Sequence, residues 1–259
     1  MMPIKSFAIS DIGLRRSHNE DSYILCDDLQ MYLVADGMGG HVAGEIASQT
    51  ATRMIEEFVR SAERDRDMTW PYGVNESLSE TENALLSAVK VANQIICRMA
   101  NEKPEMTGMG TTIAGVKINE NQASIFNVGD SRVYRVNAAG ITQLTTDHSW
   151  VNEQLQRRMI SEEEARTHRW KNVITRALGN KNSIEVDLQT ITLEDGDTLL
   201  ICTDGLSGLV SDQVILETFC AQRENLQQAG KELVAQAKAA GGYDNITIIL
   251  VQYFTDKGS

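Results

Sequence analysis

The sequence lacks any apolar run close to the roughly 20 residues that a membrane-spanning helix needs. Its first residues, Met-Met-Pro-Ile-Lys, also lack the apolar core of a secretory signal. No Cys-x-x-Cys spacing occurs among the four cysteines, Cys26, Cys97, Cys202 and Cys220. Since zinc sites usually show such a spacing and three of the four cysteines have apolar neighbours, we expect reduced core thiols, without disulfides, in a cytoplasmic protein that makes no membrane contact.

Basic residues are few: 24 Lys and Arg stand against 36 Asp and Glu, for a formal net charge of −12. This balance argues against binding to nucleic acid or to an anionic membrane surface, since both attract basic proteins. Most of the acidic residues are explained by a solvated surface. A clustered subset would instead need a bound cation to offset its repulsion.

Two common nucleotide and hydrolase motifs are also missing. The glycines within residues 37–40 are not followed by Lys-Ser or Lys-Thr, so they form no P-loop. Residues 205–208 do not match the Gly-x-Ser-x-Gly nucleophile elbow. There is no internal repeat and no low-complexity linker, and 259 residues suffice for one large domain with a full core or for two small ones.

The order of predicted elements favours an α+β fold. Helical periodicity predicts four helices, over residues 44–62, 79–101, 212–220 and 225–240. Apolar and alternating runs predict strands over residues 5–10, 22–27, 31–35, 111–117, 123–128, 132–136, 187–193, 198–203 and 245–254. The strict βαβ alternation of a doubly wound sheet is missing, which favours antiparallel sheets with paired helices on their faces. Residues 148–170 are polar and interrupt the β region, so we expect a surface flap there.

Acidic residues recur at the ends of apolar strands. They are Asp36, Asp130, Asp204 and Asp244. Because they are far apart in sequence but similarly placed on strands, we expect them to converge on one site for a hard cation. Oxygen ligands favour Mg²⁺ or Mn²⁺ over zinc, and Gly37 would expose its carbonyl oxygen to the ion.

A neighbouring motif supplies groups suited to phosphate. Arg16 opens the run RSHNED, and a guanidinium fork matches phosphate oxygens bidentately. Glu20 and Asp21 in the same run would accept hydrogen bonds from metal-bound waters. Two ions that share one carboxylate can polarise a water between them into a hydroxide, which is suited to in-line attack on phosphorus.

With these motifs, the chain resembles the metal-dependent protein serine/threonine phosphatases of the 2C type, in their compact bacterial form. The resemblance covers nearly the whole chain and follows the order of the family's motifs, which are RSHNED (16–21), VADGMGGH (34–41), MGTT (109–112), VGDSR (128–132), LTTDHS (144–149), VITRALG (173–179), CTDGL (202–206) and DNIT (244–247). It implies one catalytic domain over residues 1–259 with a flap at about 148–170. The implied fold is a β-sandwich of two antiparallel sheets flanked by pairs of helices, in four αββα layers.

The resemblance also implies a metal site of two or three Mn²⁺ or Mg²⁺ ions. Asp36 would bridge two of them, and the Gly37 carbonyl would bind one. Asp204 and Asp244 would complete the second. Asp130, together with Asp204, would hold the third ion seen in bacterial members.

Catalytic roles carried over from the family fall on Arg16, which would hold the substrate phosphate, and on Glu20, which would act through a metal-bound water. Eukaryotic relatives place a histidine, a proposed general acid, directly after the Asp-Gly pair. Here that residue is Met38, which cannot donate a proton. Either a metal-bound water protonates the leaving group or another histidine does, and His41 is our candidate. The alternative is that His41 only bonds the backbone at the entry to a helix.

The implied function is hydrolysis of phosphoserine and phosphothreonine in proteins by a metal-bridging hydroxide, without a phosphoenzyme. The partners would be phosphorylated proteins and a separately encoded bacterial Ser/Thr kinase, and we expect a monomer. One alternative is a phosphatase of the same fold acting on a small phosphorylated metabolite. Another is a non-catalytic phosphoprotein-binding regulator, which would be expected to lose metal carboxylates that are all present here.

Overall fold

Two antiparallel β-sheets lie face to face in the computed structural model, which describes residues 4–39, 42–65 and 68–255. One sheet has the strand order β1-β11-β10-β7-β8, and the other has the order β2-β3-β5-β6-β9 with β4 paired to β3. The strands are β1 Ile4–Asp11, β2 Asp21–Cys26, β3 Met31–Met38, β4 Gly110–Thr111, β5 Ile113–Asn119, β6 Gln122–Val128, β7 Arg132–Asn137, β8 Gly140–Gln143, β9 Asp187–Thr192, β10 Thr198–Cys202 and β11 Ile246–Tyr253.

Two pairs of helices cover the outer faces of the sheets. The α-helices of the described ranges are α1 Ala43–Arg64, α2 Glu80–Glu102, α3 Trp150–Gln156, α4 Glu162–Thr167, α5 Asp204–Ser207, α6 Asp212–Ala221 and α7 Leu226–Ala239. The long pair α1 and α2 packs on the β3 sheet, and α6 with α7 packs on the β11 sheet. The predicted α+β class, a sandwich flanked by pairs of helices, is confirmed. No helix within the described ranges is both long and apolar enough to cross a lipid bilayer.

The layered arrangement explains why the central strands are apolar on both faces. In β3, Tyr32 and Val34 face the other sheet, whereas Leu33 and Ala35 face the helices. Alternate side chains of a strand point to opposite faces, so a strand between two covered faces reads as a continuous apolar run. These central strands can therefore carry polar residues only near their ends without burying them unpaired.

Local sequence signals predict most boundaries of the four expected helices to within one or two residues of those in the structure. The Ser79 hydroxyl accepts from the Glu82 amide, and the Glu82 carboxylate accepts from the Ser79 amide, so the predicted capping box starts α2. Helix α5 was not predicted, because four residues are too few to show helical periodicity. Cys26, Cys97 and Cys202 are buried free thiols, as predicted, whereas Cys220 is exposed and is not the core thiol that we expected.

The segment predicted as a flap, residues 148–170, contains the two short helices α3 and α4. Trp150 stacks on His168 with ring centroids 4.6 Å apart and meets the edge of Trp170 at 4.6 Å. This aromatic cluster joins the start of α3 to the chain after α4, so it gives the segment a small packed centre of its own.

We predict that Ser79→Ala destabilises the protein by about 1 kcal/mol, because one hydroxyl completes the cap of a long helix. In a chain of this size the expected fall in melting temperature is about 2–4 °C. Ser77→Ala is the matched control, since Ser77 lies outside the helix and its hydroxyl bonds only the Asn75 side chain. Equal melting temperatures for the two variants, measured by circular dichroism, would contradict the role of the cap.

Candidate metal centre and phosphate site

The acidic residues singled out in the sequence lie where strands end or turn. Asp36 is near the end of β3, directly opposite Asp21 at the start of β2. Asp204 begins α5 immediately after β10, and Asp244 precedes β11. Asp130 lies in the tight turn between β6 and β7. Both sheets therefore contribute carboxylates to the site.

Electrostatic coupling shows that these carboxyl groups lie near one another. Burial raises the pKa of Asp36 well above its usual value, and the charges of Asp21, Asp204 and Asp130 raise it further. Burial, followed by the charge of Asp204, raises the pKa of Asp130 to about 7. Burial raises the pKa of Asp204 as well, with Asp244 as the next cause. A carboxylate that resists ionisation because of neighbouring carboxylates is in a position where a cation would be strongly favoured.

Two observations show that a divalent cation fits this donor set. Oxygen Oδ1 of Asp130 and Oδ1 of Asp204 are buried and accept no hydrogen bond from any residue that the structure describes. The charge of Asp204 raises the pKa of the buried Asp36 carboxyl, as expected for two carboxylates that repel each other without a proton or a cation to offset their charge. Unpaired buried carboxylate oxygens are the ligands that Mg²⁺ and Mn²⁺ prefer.

The acidic groups are spread out rather than stacked around one point. Across the ranges 4–39, 42–65 and 68–255, no set of three His, Cys, Asp or Glu side chains is close enough to hold a single ion alone. Mg²⁺ keeps several of its waters and is usually bound through only one or two carboxylates. The spacing therefore suits hydrated ions that share ligands, and it does not suit a closed cage such as a structural zinc site.

Gly37 lies where three backbone segments meet. Its amide donates to the Glu20 carbonyl at 3.2 Å. A Cβ at Gly37 would overlap the carbonyl oxygen of Gly44, and a Cβ at Gly44 would come within 2.9 Å of Oε1 of Glu20. Only glycine fits at both positions, so the start of α1 can approach the Asp36-Gly37 turn and the RSHNED loop. The close approach makes Gly44 a positioning residue, although sequence reasoning gave it no role.

Asn245 ties the RSHNED loop to the acidic turn before β11. Its side-chain oxygen accepts from the Glu20 amide at 2.8 Å, and its amide nitrogen donates to the carbonyls of Ile12 and His18 at 3.0 Å each. The carbonyl of Asn245 leaves no room for a Cβ at Gly205. This one side chain therefore sets Glu20 and Asp244 relative to each other. The DNIT motif contains Asn245, but the sequence does not indicate which groups its side chain bonds.

Two threonines hold Asp21 from the neighbouring sheet. The hydroxyls of Thr203 and Thr247 donate to Oδ2 of Asp21 at 2.9 and 2.6 Å. Burial nonetheless raises the pKa of Asp21 to about 7, although both hydrogen bonds lower it. The contact joins the β2 edge of one sheet to the β10 and β11 ends of the other.

Arg16 contacts the acidic site from its open side. Its Nη2 donates to Oδ2 of Asp244 at 2.6 Å, and the guanidinium remains 46% exposed. The hydrogen bond from Arg16 to Asp244 is the main reason that the pKa of Arg16 is raised. An exposed fork next to buried carboxylates is where an anionic group bridging the arginine and a cation would lie.

The turn that carries Asp130 is fastened to the base of the flap. The Gly129 amide donates to Nδ1 of His148 at 2.9 Å, and the His148 amide donates back to the Gly129 carbonyl. Arg132 forms a bidentate pair with Asp147, with its shortest contact at 2.7 Å. Residue 148, at the start of the segment predicted as a flap, is therefore bonded to the residue next to Asp130.

The predicted general acid, His41, lies outside the described residues. Met38, which occupies the position of the eukaryotic histidine, ends β3 and pairs with Gly110. His41 therefore stays a sequence-based prediction.

Comparison with known proteins agrees with this architecture. The serine/threonine phosphatase stp of Listeria monocytogenes is 36% identical over 253 residues, covering 96% of each chain. The solved structure of a serine/threonine phosphatase from S. agalactiae is 34% identical, with a TM-score of 0.84 over 98% of this chain and 100% of that one. The catalytic domain of the serine/threonine protein phosphatase PstP, solved with two manganese ions, is 32% identical, with a TM-score of 0.81 over 97% and 99% of the chains.

The family described as Protein phosphatase 2C matches residues 15–238, a span that includes Arg16, the acidic turns at Asp36, Asp130 and Asp204, and the flap. Most of the chain lies within this match, and the relatives agree with it over almost their full length. The chain belongs to the protein phosphatase 2C family.

Proposed function

We propose that this protein is a metal-dependent phosphatase that removes phosphate from serine and threonine side chains of proteins. The observation that carries the proposal is the set of buried carboxylates with unpaired oxygens beside the exposed guanidinium of Arg16. Carboxylates alone would favour a structural cation, and an arginine alone would favour any anion. Together they suit a phosphate ester held against divalent ions. The relatives named as serine/threonine phosphatases support the same substrate class.

Two Mn²⁺ or Mg²⁺ ions would be held by Asp36, the Gly37 carbonyl, Asp204 and Asp244. A third ion would use Asp130 with Asp204, whose unpaired oxygens support this assignment. When bound, the ions would supply water activation at neutral pH and neutralise charge on the phosphate. The PstP structure with two manganese ions supports manganese, and Mg²⁺ satisfies the same oxygen donors.

The protein's own groups would bind and orient the substrate. Arg16 pairs with Asp244 in this structure, so Arg16 would have to exchange this partner in order to bind the substrate phosphate. Asn245 keeps the Glu20 backbone in place, and Glu20 would orient water near the reacting phosphorus. No side-chain nucleophile is needed, so the proposed reaction has no phosphoenzyme. His41 is kept as the candidate proton donor.

We further propose that the chain acts as a monomer, opposite a separately encoded Ser/Thr kinase. A single chain supplies every group of the proposed site, which supports the monomer. We also treat residues 1–259 as one catalytic domain, whose flap, residues 148–170, governs access of protein substrates. The hydrogen bonds between His148 and Gly129 support that role, because they link the flap to the turn of Asp130.

Asp36→Asn should reduce Mn²⁺-dependent phosphate release from a phosphothreonine peptide by more than 100-fold, beyond the roughly 10–100-fold effect of losing an outer-shell partner. The metal-free variant should melt at the same temperature as the wild type or higher, because one of several mutually repelling carboxylates is gone. The stabilisation that Mn²⁺ gives the wild type should shrink in the variant.

Asp28→Asn is the matched control, since Asp28 pairs with Arg60 away from this site. Release should also stop when a chelator is added to the wild type. Metal-dependent turnover that survives in Asp36→Asn would refute the proposed site, and chelator-resistant turnover would refute the metal requirement.

Arg16→Ala should raise KM for a phosphopeptide by about 10–100-fold, the expected range for a lost charge-assisted hydrogen bond to phosphate. Affinity for Mn²⁺, measured by calorimetry, should be retained or improved, because Asp244 loses a competing partner. The neighbouring exposed Arg15 offers the control Arg15→Ala, for which we expect KM within about twofold of wild type. Loss of Mn²⁺ binding in Arg16→Ala would show that the arginine has a structural role instead.

Trp150→Ala should disturb the aromatic cluster of the flap. We expect kcat/KM for a phosphoprotein to change by more than about fivefold, while turnover of a small aryl phosphate stays within about twofold, because the small substrate makes no contact with the flap. Trp70→Ala removes a tryptophan that packs on Phe58 outside the flap. This control should change neither kcat/KM for the phosphoprotein nor turnover of the aryl phosphate. A larger effect on the aryl phosphate than on the protein would oppose the proposed role.

A further inference from the structure

An exposed apolar surface lies directly beside Arg16. Among the described residues, ten large apolar side chains are exposed, and three of them, Ile12, Leu14 and Tyr243, are on the two turns that carry Arg16 and Asp244. Leu14 is 58% exposed and Tyr243 is 60% exposed. Scattered exposed apolar residues are ordinary, but a group of them on touching turns is not. We call Leu14 and Tyr243 together the apolar shelf.

Two glycines bring the members of the shelf together from opposite ends of the chain. The Leu14 amide donates to the Gly242 carbonyl at 2.8 Å. A Cβ at Gly242 would lie 2.9 Å from Cγ of Leu14, and a Cβ at Gly241 would overlap the ring of Tyr243. Both glycines have a positive φ, which is +130° at Gly241 and +52° at Gly242. The Leu14 side chain therefore lies against Gly242 and the Tyr243 ring against Gly241, so both exposed side chains lie at the turn that precedes Asp244.

The shelf lies on the same two turns as the residues proposed to hold the substrate phosphate. Leu14 is two residues before Arg16, and Tyr243 is next to Asp244, whose carboxylate Arg16 contacts at 2.6 Å. An extended peptide advances about 3.3 Å per residue. A substrate whose phosphate is held by Arg16 would therefore place a side chain one or two residues away over the shelf.

We propose that Leu14 and Tyr243 select phosphoprotein substrates with a large apolar residue within two positions of the phosphorylated serine or threonine. This inference rests on the proposed function, because it requires the phosphate to bind at Arg16. The occupant is an extended peptide segment, since the two exposed side chains lie next to the residues proposed to hold the substrate phosphate. Burial of a leucine side chain against the shelf would favour such substrates in kcat/KM.

The test compares phosphothreonine peptides that differ at one position. A host peptide of alanine and glutamine carries one leucine at −2, −1, +1 or +2, and the reference peptide has glutamine at all four positions. We expect one leucine position to raise wild-type kcat/KM by about tenfold with Mn²⁺. In the double variant Leu14→Ser/Tyr243→Ser, the kcat/KM for this leucine peptide should lie within about twofold of the kcat/KM for the reference peptide. Turnover of a small aryl phosphate should be unchanged, which also shows that the variant is folded.

Val74→Ser is the matched control, because Val74 is equally exposed at 60% and lies in the segment before α2. It should keep the full leucine preference. A wild type without any leucine preference, or a double variant that keeps it, would overturn the inference while leaving the proposed function intact. A concentration-dependent dimer that the double variant loses, with peptide preference unchanged, would assign the shelf to a second copy and also overturn it. Absence of metal-dependent release from every peptide and from the aryl phosphate would instead refute the proposed function, and the inference with it.

Discussion

Mutual repulsion among buried carboxylates is the constraint on which the rest of this structure depends. Asp36, Asp21, Asp130 and Asp204 are brought together at one end of the sandwich, and burial together with their neighbours' charges raises the pKa of each group. Such an arrangement costs folding free energy unless protons or cations are taken up. The packed apolar clusters on both sides of the sheets stabilise the fold and offset this unfavourable electrostatic free energy.

The architecture keeps these groups fixed without filling the site with side chains. Glycines at positions 37, 44 and 205 let separate backbone segments touch, and Asn245 joins the loops through three hydrogen bonds. A carboxylate attached to a loop could move away from its neighbours and relieve the repulsion. Here the acids lie next to strands held by antiparallel ladders, so repulsion can be relieved only by a bound cation or proton.

Two further surfaces accompany this fixed centre. The proposed flap contains an aromatic cluster and is bonded through His148 to Gly129, and the apolar shelf lies beside Arg16. Neither surface contributes to the proposed cation site itself. The division suits an enzyme whose chemistry is common to its family but whose choice of protein substrate is its own.

Much of the fold could be predicted from sequence because its determinants are local. Apolar runs such as residues 31–35 predict buried strands, the Ser79 capping box predicts the start of α2, and Asp-Gly pairs predict acids at strand ends. Helix α5 was not predicted, because a helix of four residues is too short to show the periodicity of apolar residues.

The motifs by themselves determined the family resemblance and the candidate ligands. Only the tertiary structure decided that Asn245 organises Glu20, that Thr203 and Thr247 hold Asp21, and that Leu14 lies over Gly242. These partners are separated by about 180 residues or more, and no local periodicity encodes which distant turns will touch. That choice follows from how the two sheets stack and bring their strand ends to one edge.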